Sequence, residues 1–425
     1  MLTTKPRGTN DIMPADISKW YHLENVLRRV AKQYGYSELR TPVFEHTELF
    51  QRGVGETTDI VEKEMYTFTD RGNRSLTLRP EGTAPTVRSF IENKLYADPQ
   101  PTKLFYLGPM FRYDRPQAGR YRQFHQFGVE AIGSCDPGLD AEVIAMAMDI
   151  YSRLGLKDLT VELNSVGCPQ CRPVHREELQ KFLADKKDRL CPTCQGRFDK
   201  NPLRILDCKS KECQNLTAGA PTIAELLCDA CRKHLTKVQD YLQAFGIPVH
   251  LDPNLVRGLD YYTQTAFEIV ARGIGAQSSV GGGGRYDGLI EQCGGPAVPG
   301  IGYALGLERI LLTMEQQGIT IPTEAKAHVF IAALGEKAQL EGAVLAQKLR
   351  QKGLVAERDY LDKSLKAQLK AADRLRVQYT VIIGEDELKN KQALVRNMND
   401  STQMGVSLDK LESYLAEKIG RGSNE

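Results

Sequence analysis

Chemistry is densest between Leu104 and Gly133, LFYLGPMFRYDRPQAGRYRQFHQFGVEAIG, where Arg112, Arg115, Arg120 and Arg122 accompany Glu130. Leu104, Tyr106 and Leu107 form an apolar approach to Phe111 and Arg112, and Asp114, Pro116 and Gly119 then mark a turn-prone loop that carries Arg115 and Arg120. Side chains of a strand alternate between its faces. On the return, Phe124, Gln126 and Glu130 therefore share one face, while Gln123, His125, Phe127 and Val129 take the other. An aromatic ring can stack a nucleobase, an amide can bind a polar ligand group, and a buried glutamate can accept from a ligand N–H or balance its charge. The flanking guanidinium groups would clamp phosphates. An arginine-rich hairpin lying on solvent is the plainer alternative, and the neighbouring segments decide against it.

Three further stretches could do chemistry. Ser75–Thr83 reads as a short strand ending in a turn with Glu81 and Thr83, a carboxylate and a hydroxyl suited to an ammonium group. Leu255–Thr263 places Arg257 before a glycine and then pairs Tyr261 with Tyr262. Gly281–Gly288 carries Arg285 and Tyr286, and Pro299–Arg309 ends in Arg309. Neither glycine run is a nucleotide fingerprint. Gly300, Gly302 and Gly306 miss the dinucleotide spacing by one residue, and no Gly-Lys-Ser/Thr follows. Eight cysteines form four close pairs: Cys168 with Cys171, Cys191 with Cys194, Cys208 with Cys213, and Cys228 with Cys231. This spacing resembles two zinc-ribbon-like sets. The sequence leaves open whether they hold structural zinc or pack as free thiols.

The elements that position these residues follow from periodicity. Asp16–Tyr34 carries Trp20, Leu23, Leu27, Val30 and Tyr34 at helical spacing, with Gly35 as its stop. Ser37–Glu45 reads as a strand broken by Pro42, Ala141–Leu154 as a helix, and Leu159–Val166 as a strand. From Ala327, apolar strands at Val329–Ala333, Leu354–Ala356 and Tyr379–Ile383 alternate with helices, which predicts a small α/β domain with a largely parallel sheet. Lys363, Lys366, Lys370, Arg374 and Arg376 gather around its second helix. The chain of 425 residues exceeds one core and predicts two or three domains. Its net charge of +2 confines any nucleic-acid binding to local patches. No window approaches the ~18 apolar residues of a membrane span, and the N-terminus lacks a signal-peptide core. The expectation is a cytoplasmic protein with reduced thiols and no membrane partner.

Taken together, these segments resemble the class II aminoacyl-tRNA synthetases in their histidyl form. Ser37–Glu45 resembles motif 1, the dimer-interface element; Phe111–Glu130 resembles motif 2; Arg257–Tyr262 resembles the histidyl signature; and Pro299–Arg309 resembles motif 3. The resemblance covers nearly all 425 residues. It implies an α+β catalytic core on an antiparallel sheet, a cysteine-rich insertion and a C-terminal α/β anticodon-binding domain. The domain bounds expected are 1–167 and 241–323 for the core, 168–240 for the insertion and 327–425 for the anticodon domain. It also implies activation of histidine by ATP with Mg2+, transfer to the cognate tRNA, and a homodimer. By that resemblance Arg112 and Arg257 would face the α-phosphate, Arg120 and Arg309 the pyrophosphate end, and Phe124 the adenine. Glu81, Thr83 and Gln126 would hold the α-amino group, with Glu130, Tyr261, Tyr262 and Tyr286 around the imidazole. Arg115 and Gln117 would be candidates for the tRNA acceptor end. A histidine-binding regulatory subunit shares such a core but generally lacks the insertion, the anticodon domain and catalytic arginines. A zinc-ribbon nucleic-acid binder would leave Arg112, Glu130 and Arg257 without a role.

Overall fold

The computed structural model describes residues 3–55, 58–271, 279–321 and 327–420. The chain divides after Ile321 into two compact units. In the first, the strands in chain order are β1 (Ser37–Glu38), β2 (Phe44–His46), β3 (Tyr66–Thr69), β4 (Ser75–Leu78), β5 (Thr102–Phe111), β6 (Gln123–Ile132), β7 (Leu159–Ser165), β8 (Val249–Leu251), β9 (Thr263–Ala271), β10 (Ser279–Arg285) and β11 (Gly300–Gly306). Eight of these form one sheet in the order β1-β5-β6-β11-β10-β9-β7-β8. Its inner pairings are antiparallel, and only the edge pairs β1/β5 and β7/β8 run parallel.

Alternation divides this sheet into a packing face and an open face. Phe127 and Val129 of β6, Phe267 and Ile269 of β9, and Tyr303 and Leu305 of β11 are buried with helices Ile17–Gln33, Pro137–Arg153 and Asp229–Ala244. Leu23, Leu27 and Val30 of the first helix are fully buried there, each worth about 1.5–3 kcal/mol relative to exposure. The opposite face of β6 carries Phe124, Gln126 and Glu130, and its neighbours across the sheet are short. Glu130 registers against Gly302 and Gln126 against Gly306. A Cβ at Gly302 would stand 2.0 Å from the Glu130 carboxylate, so only glycine leaves room for that side chain.

Several boundaries differ from the sequence expectation. The stretch Ser37–Glu45 is two strands in two sheets: β1 borders the large sheet, while β2 belongs to a small sheet ordered β2-β4-β3. Pro42 lies between them, where it costs neither ladder a donor. The helix expected from Ala141 begins at Pro137, because the Asp136 carboxylate accepts from the Gly138 amide at 2.7 Å and proline suits the first turn.

The second unit adds β12 (Val329–Ala333), β13 (Ala356–Arg358), β14 (Tyr379–Ile383), β15 (Gln392–Asn397) and β16 (Gln403–Ser407). Its sheet runs β13-β12-β14-β15-β16, parallel through the first three strands and antiparallel beyond. The parallel part agrees with the alternation of strands and helices. The closing hairpin is not legible in the sequence, because polar residues such as Arg396, Asn397 and Gln403 interrupt its apolar pattern. Lys363, Lys366, Lys370, Arg374 and Arg376 are all exposed, on and beside the helix Leu365–Leu375.

Candidate active site

The open face of the large sheet floors a cavity of about 380 Å³, within the range of small-molecule sites. All twelve site residues singled out from the sequence line it: Glu81, Thr83, Arg112, Arg120, Phe124, Gln126, Glu130, Arg257, Tyr261, Tyr262, Tyr286 and Arg309. Arg115 and Gln117 do not line it; both are exposed in the loop between β5 and β6.

The cavity is rich in acceptors. Glu81 is buried at the start of helix Thr83–Glu92, where its two oxygens accept from the amides of Thr83 and Ala84, each at 2.8 Å. Burial raises its carboxyl above the ordinary value, and those two amides oppose the rise. The Thr83 hydroxyl donates to Glu130 Oε1 at 2.7 Å, which leaves its lone pairs to accept. Gln126 Oε1 is buried with no hydrogen-bond partner among the described residues, and Glu130 Oε2, which makes no well-formed hydrogen bond, belongs to a carboxyl with the hydroxyls of Tyr286 and Tyr106 beside it. A buried acceptor without a partner costs stability, so the cavity is built for a ligand that brings N–H donors. Burial also pushes the Glu130 carboxyl up to about 8, against the pull of the Thr83 hydrogen bond.

Cationic groups line the same cavity, Arg112 beside Glu81 among them. The Arg112 Nε donates to Pro80 O at 2.8 Å, and its guanidinium carbon stands 5.3 Å from the Phe124 ring centroid. Burial holds Arg112 below its usual value; it does the same to Arg309, aided by Arg120 nearby. Arg309 Nη1 donates to Ser279 O at 2.8 Å. Burial alone would lower Arg257, but Tyr262 and Glu268 raise it, the latter 3.2 Å from its Nη1. Arg120 is half-exposed beside Asp114 and lies 4.0 Å from Glu64. Three largely buried guanidinium groups lining one cavity suit a polyanion.

Sequence reasoning assigned no site role to Glu268, Ser279, Glu64 or Tyr106. Glu268 carried a signal, since it is the single charged residue of Thr263–Ala271. Tyr106 was read only as an apolar approach, yet it lines the cavity, and a Cβ at Gly128 would stand 2.2 Å from its ring.

Away from the cavity, the eight paired cysteines assemble into two quartets that could hold a metal: Cys168, Cys171, Cys228 and Cys231, and Cys191, Cys194, Cys208 and Cys213. The outer pairs join each other and the inner pairs join each other, a nesting that spacing alone left open. None of the eight lines the cavity.

A largely antiparallel sheet with arginines on a long hairpin, a glycine-rich strand pair and a final arginine at a helix start defines a class II aminoacyl-tRNA synthetase. The histidyl-tRNA synthetase family model matches residues 8–310, and an anticodon-binding domain model matches residues 328–418. A histidine–tRNA ligase of Desulforamulus reducens is 61% identical over 415 residues, 98% of this chain and 99% of that protein. One from Pelotomaculum thermopropionicum is 60% identical over 419 residues, 99% of each. The crystal structure of apo S. aureus histidyl-tRNA synthetase superposes with a TM-score of 0.84 at 44% identity, covering 98% of this chain and 100% of that one. This chain belongs to the histidyl-tRNA synthetase family.

Proposed function

We infer that the chain activates histidine with ATP to histidyl-adenylate and pyrophosphate, then transfers the histidyl group to the 3′ end of its tRNA. The observation that carries this is the make-up of one cavity: buried acceptors at Glu81, Gln126 and Glu130 share it with the largely buried guanidiniums of Arg112, Arg257 and Arg309.

The α-amino group of histidine brings three N–H donors. Glu81, the Thr83 hydroxyl oxygen and Gln126 Oε1 each keep a lone pair free to receive one. Glu130 Oε2 takes an imidazole N–H, and the hydroxyls of Tyr261, Tyr262 and Tyr286 close the remaining wall. A substrate without that N–H would leave Glu130 buried and unpaired, which is the basis of discrimination. Phe124 stacks the adenine, Arg120 and Arg309 hold the outer phosphates, and Mg2+ enters with ATP. Arg112 and Arg257 approach the α-phosphate from two sides, placing fixed charge where the transition state gathers negative charge. Both substrates held on one sheet face convert the attack of carboxylate on phosphorus into a positioned step.

Residues 327–425 are assigned to anticodon binding and 168–240 to the insertion, with 1–167 and 241–323 as the catalytic halves. The exposed basic residues around Leu365–Leu375 supply phosphate contacts. Exposed Phe44 and Phe68 on the small sheet, with Val43 just before it, support a homodimer formed there. Among the described residues no helix is long and apolar enough to cross a membrane; charging of tRNA supports a cytoplasmic location. A regulatory subunit without charging activity would have no use for the guanidinium cluster. The test is ATP–pyrophosphate exchange with each of the twenty amino acids, followed by charging of tRNA. Exchange with histidine alone is expected; exchange with another amino acid, or histidine binding without exchange, would overturn the reading.

A further inference from the structure

We propose that the segment from Cys168 to Cys231 binds two zinc ions, one in each thiolate quartet, and that the inner ion holds the helices that buttress the backbone of Arg257.

The sulfur geometry is the first support. Cys168 Sγ lies 3.6 Å from Cys171 Sγ and 3.9 Å from Cys228 Sγ, and Cys191 Sγ lies 3.9 Å from Cys208 Sγ. Within each quartet all four sulfurs fall within 4.8 Å of one another. Four thiolates on a tetrahedron around zinc, with Zn–S of ~2.3 Å, stand about 3.8 Å apart. Disulfides need ~2.05 Å, and all eight thiols are free.

The donors around the sulfurs are the second. The Cys228 amide donates to Cys171 Sγ at 3.2 Å, the Cys191 amide to Cys213 Sγ at 3.3 Å, and Gln264 Nε2 to Cys231 Sγ at 3.9 Å. Thiols packed as small hydrophobes have little use for N–H donors. Thiolates sharing a dication do, because four negative sulfurs exceed its charge.

The two quartets sit in different surroundings. Cys171 and Cys231 belong to the main core beneath the large sheet, so the outer site fastens both ends of the segment to the catalytic unit. Cys194 and Cys213 belong instead to a separate small cluster with Leu179, Leu183, Phe198 and Ile205. So small a core rarely holds its own fold without a staple.

The inner site ties together helices Pro192–Lys200, Leu203–Leu206 and Lys211–Thr217. That assembly reaches the backbone of Arg257 and two aspartates near the cavity. Arg204 Nη1 donates to Arg257 O at 3.3 Å, Asn201 Nδ2 to Asp260 Oδ1 at 2.9 Å, and Arg197 Nη2 to Asp59 Oδ2 at 2.7 Å. The loop bearing Arg257 is thus held from outside by a segment whose own order depends on metal. Arg204 is a positioning residue. This half of the proposal rests on the adenylation reading of the cavity; the metal half does not.

The test uses the full chain, purified without chelator. Elemental analysis should find two zinc ions per chain, one for each quartet, and Cys208→Ser with Cys213→Ser should retain one. Cobalt exchanged into the unmodified protein should show the thiolate charge-transfer absorption of tetrahedral sites, a readout that needs no variant to fold. Arg204→Ala should keep both ions yet lower exchange turnover on the order of ten- to a hundredfold with little change in histidine KM, as loss of positioning does. Less than about half an equivalent of zinc, iron in its place, or eight freely reactive thiols in the native protein would overturn the metal sites. Unchanged turnover in Arg204→Ala would overturn the buttress. An unmodified chain with no exchange at all would instead sink the adenylation reading and the buttress with it, while zinc content would still decide the metal half.

Discussion

Thr83 donates its hydroxyl hydrogen to Glu130 at 2.7 Å, and that bond couples the residue proposed to hold the α-amino group to the one proposed to meet the imidazole. Thr83→Ala removes an ammonium acceptor and leaves Glu130 Oε1 buried without a donor. Histidine KM in pyrophosphate exchange should rise by an amount worth about 1–3 kcal/mol, while Thr83→Ser should recover most of it. An alanine variant with unaltered KM would remove Thr83 from the site.

Glu130 titrates in a direction that trades stability for function. Its carboxyl moves from an ordinary 4.5 to about 8 on folding, chiefly by burial. The folded state therefore holds a proton that the unfolded chain has lost, and stability falls as pH rises from near 4.5 toward 8. Glu130→Gln abolishes this dependence. Calorimetry should show the variant gaining in Tm over the unmodified chain as pH is raised from 5 to 8.5, while losing histidine-dependent exchange. A Tm difference that stays constant with pH would contradict the assignment.

Asp140 and Arg285, both fully buried, hold the fold and not the substrate. Asp140 Oδ2 accepts from Thr265 at 2.6 Å, lies 2.8 Å from His234 Nε2 and accepts from Arg285 Nε at 3.2 Å, joining helices Pro137–Arg153 and Asp229–Ala244 to β9 and β10. Burial would raise the Asp140 carboxyl, but His234 and Arg285 hold it below the ordinary value. Its contribution is present above about pH 4 and is lost as pH falls through the folded value. Asp140→Asn leaves the buried Arg285 with Asp287 at 3.3 Å as its remaining carboxylate and should cost about 3–5 kcal/mol at pH 7, read from the urea midpoint. A loss under about 1 kcal/mol, the level of an exposed pair, would contradict a structural role for the network.

Legibility in the sequence tracked how local each cause is. Phe124, Gln126 and Glu130 could be placed on one face because a strand alternates with period two, and β6 keeps an unbroken register with β5 over its whole length. The helix Ile17–Gln33 was legible for the same kind of reason, its buried residues falling at helical spacing before Gly35. Asp140 and Arg285 meet across 145 positions of chain, and nothing near either residue announces the other. The nested cysteine quartets were equally hidden, since spacing shows which cysteines are adjacent along the chain but not which pairs meet. The split of Ser37–Glu45 between two sheets depends on β4 and β5, the strands that receive each half.

The exposed lysines of the second unit should act on tRNA alone. Lys366→Glu with Lys370→Glu in the full chain should weaken tRNA charging on the order of tenfold or more at low salt, with the gap narrowing as salt rises, because phosphate contacts carry that dependence. Histidine-dependent exchange should be unaffected. Equal charging by variant and unmodified chain would refute phosphate binding by this helix.

The most direct measurement of the account is exchange by Arg257→Ala. Arg257 is assigned to the charge that develops at the α-phosphate, so its loss should lower turnover on the order of 10²- to 10³-fold. Tm and histidine affinity should stay near those of the unmodified chain, since a contact made only in the transition state does not stabilise the ground state. Near-normal exchange by the variant would contradict the account, and would make the contact between Arg257 and Glu268 at 3.2 Å a structural ion pair only.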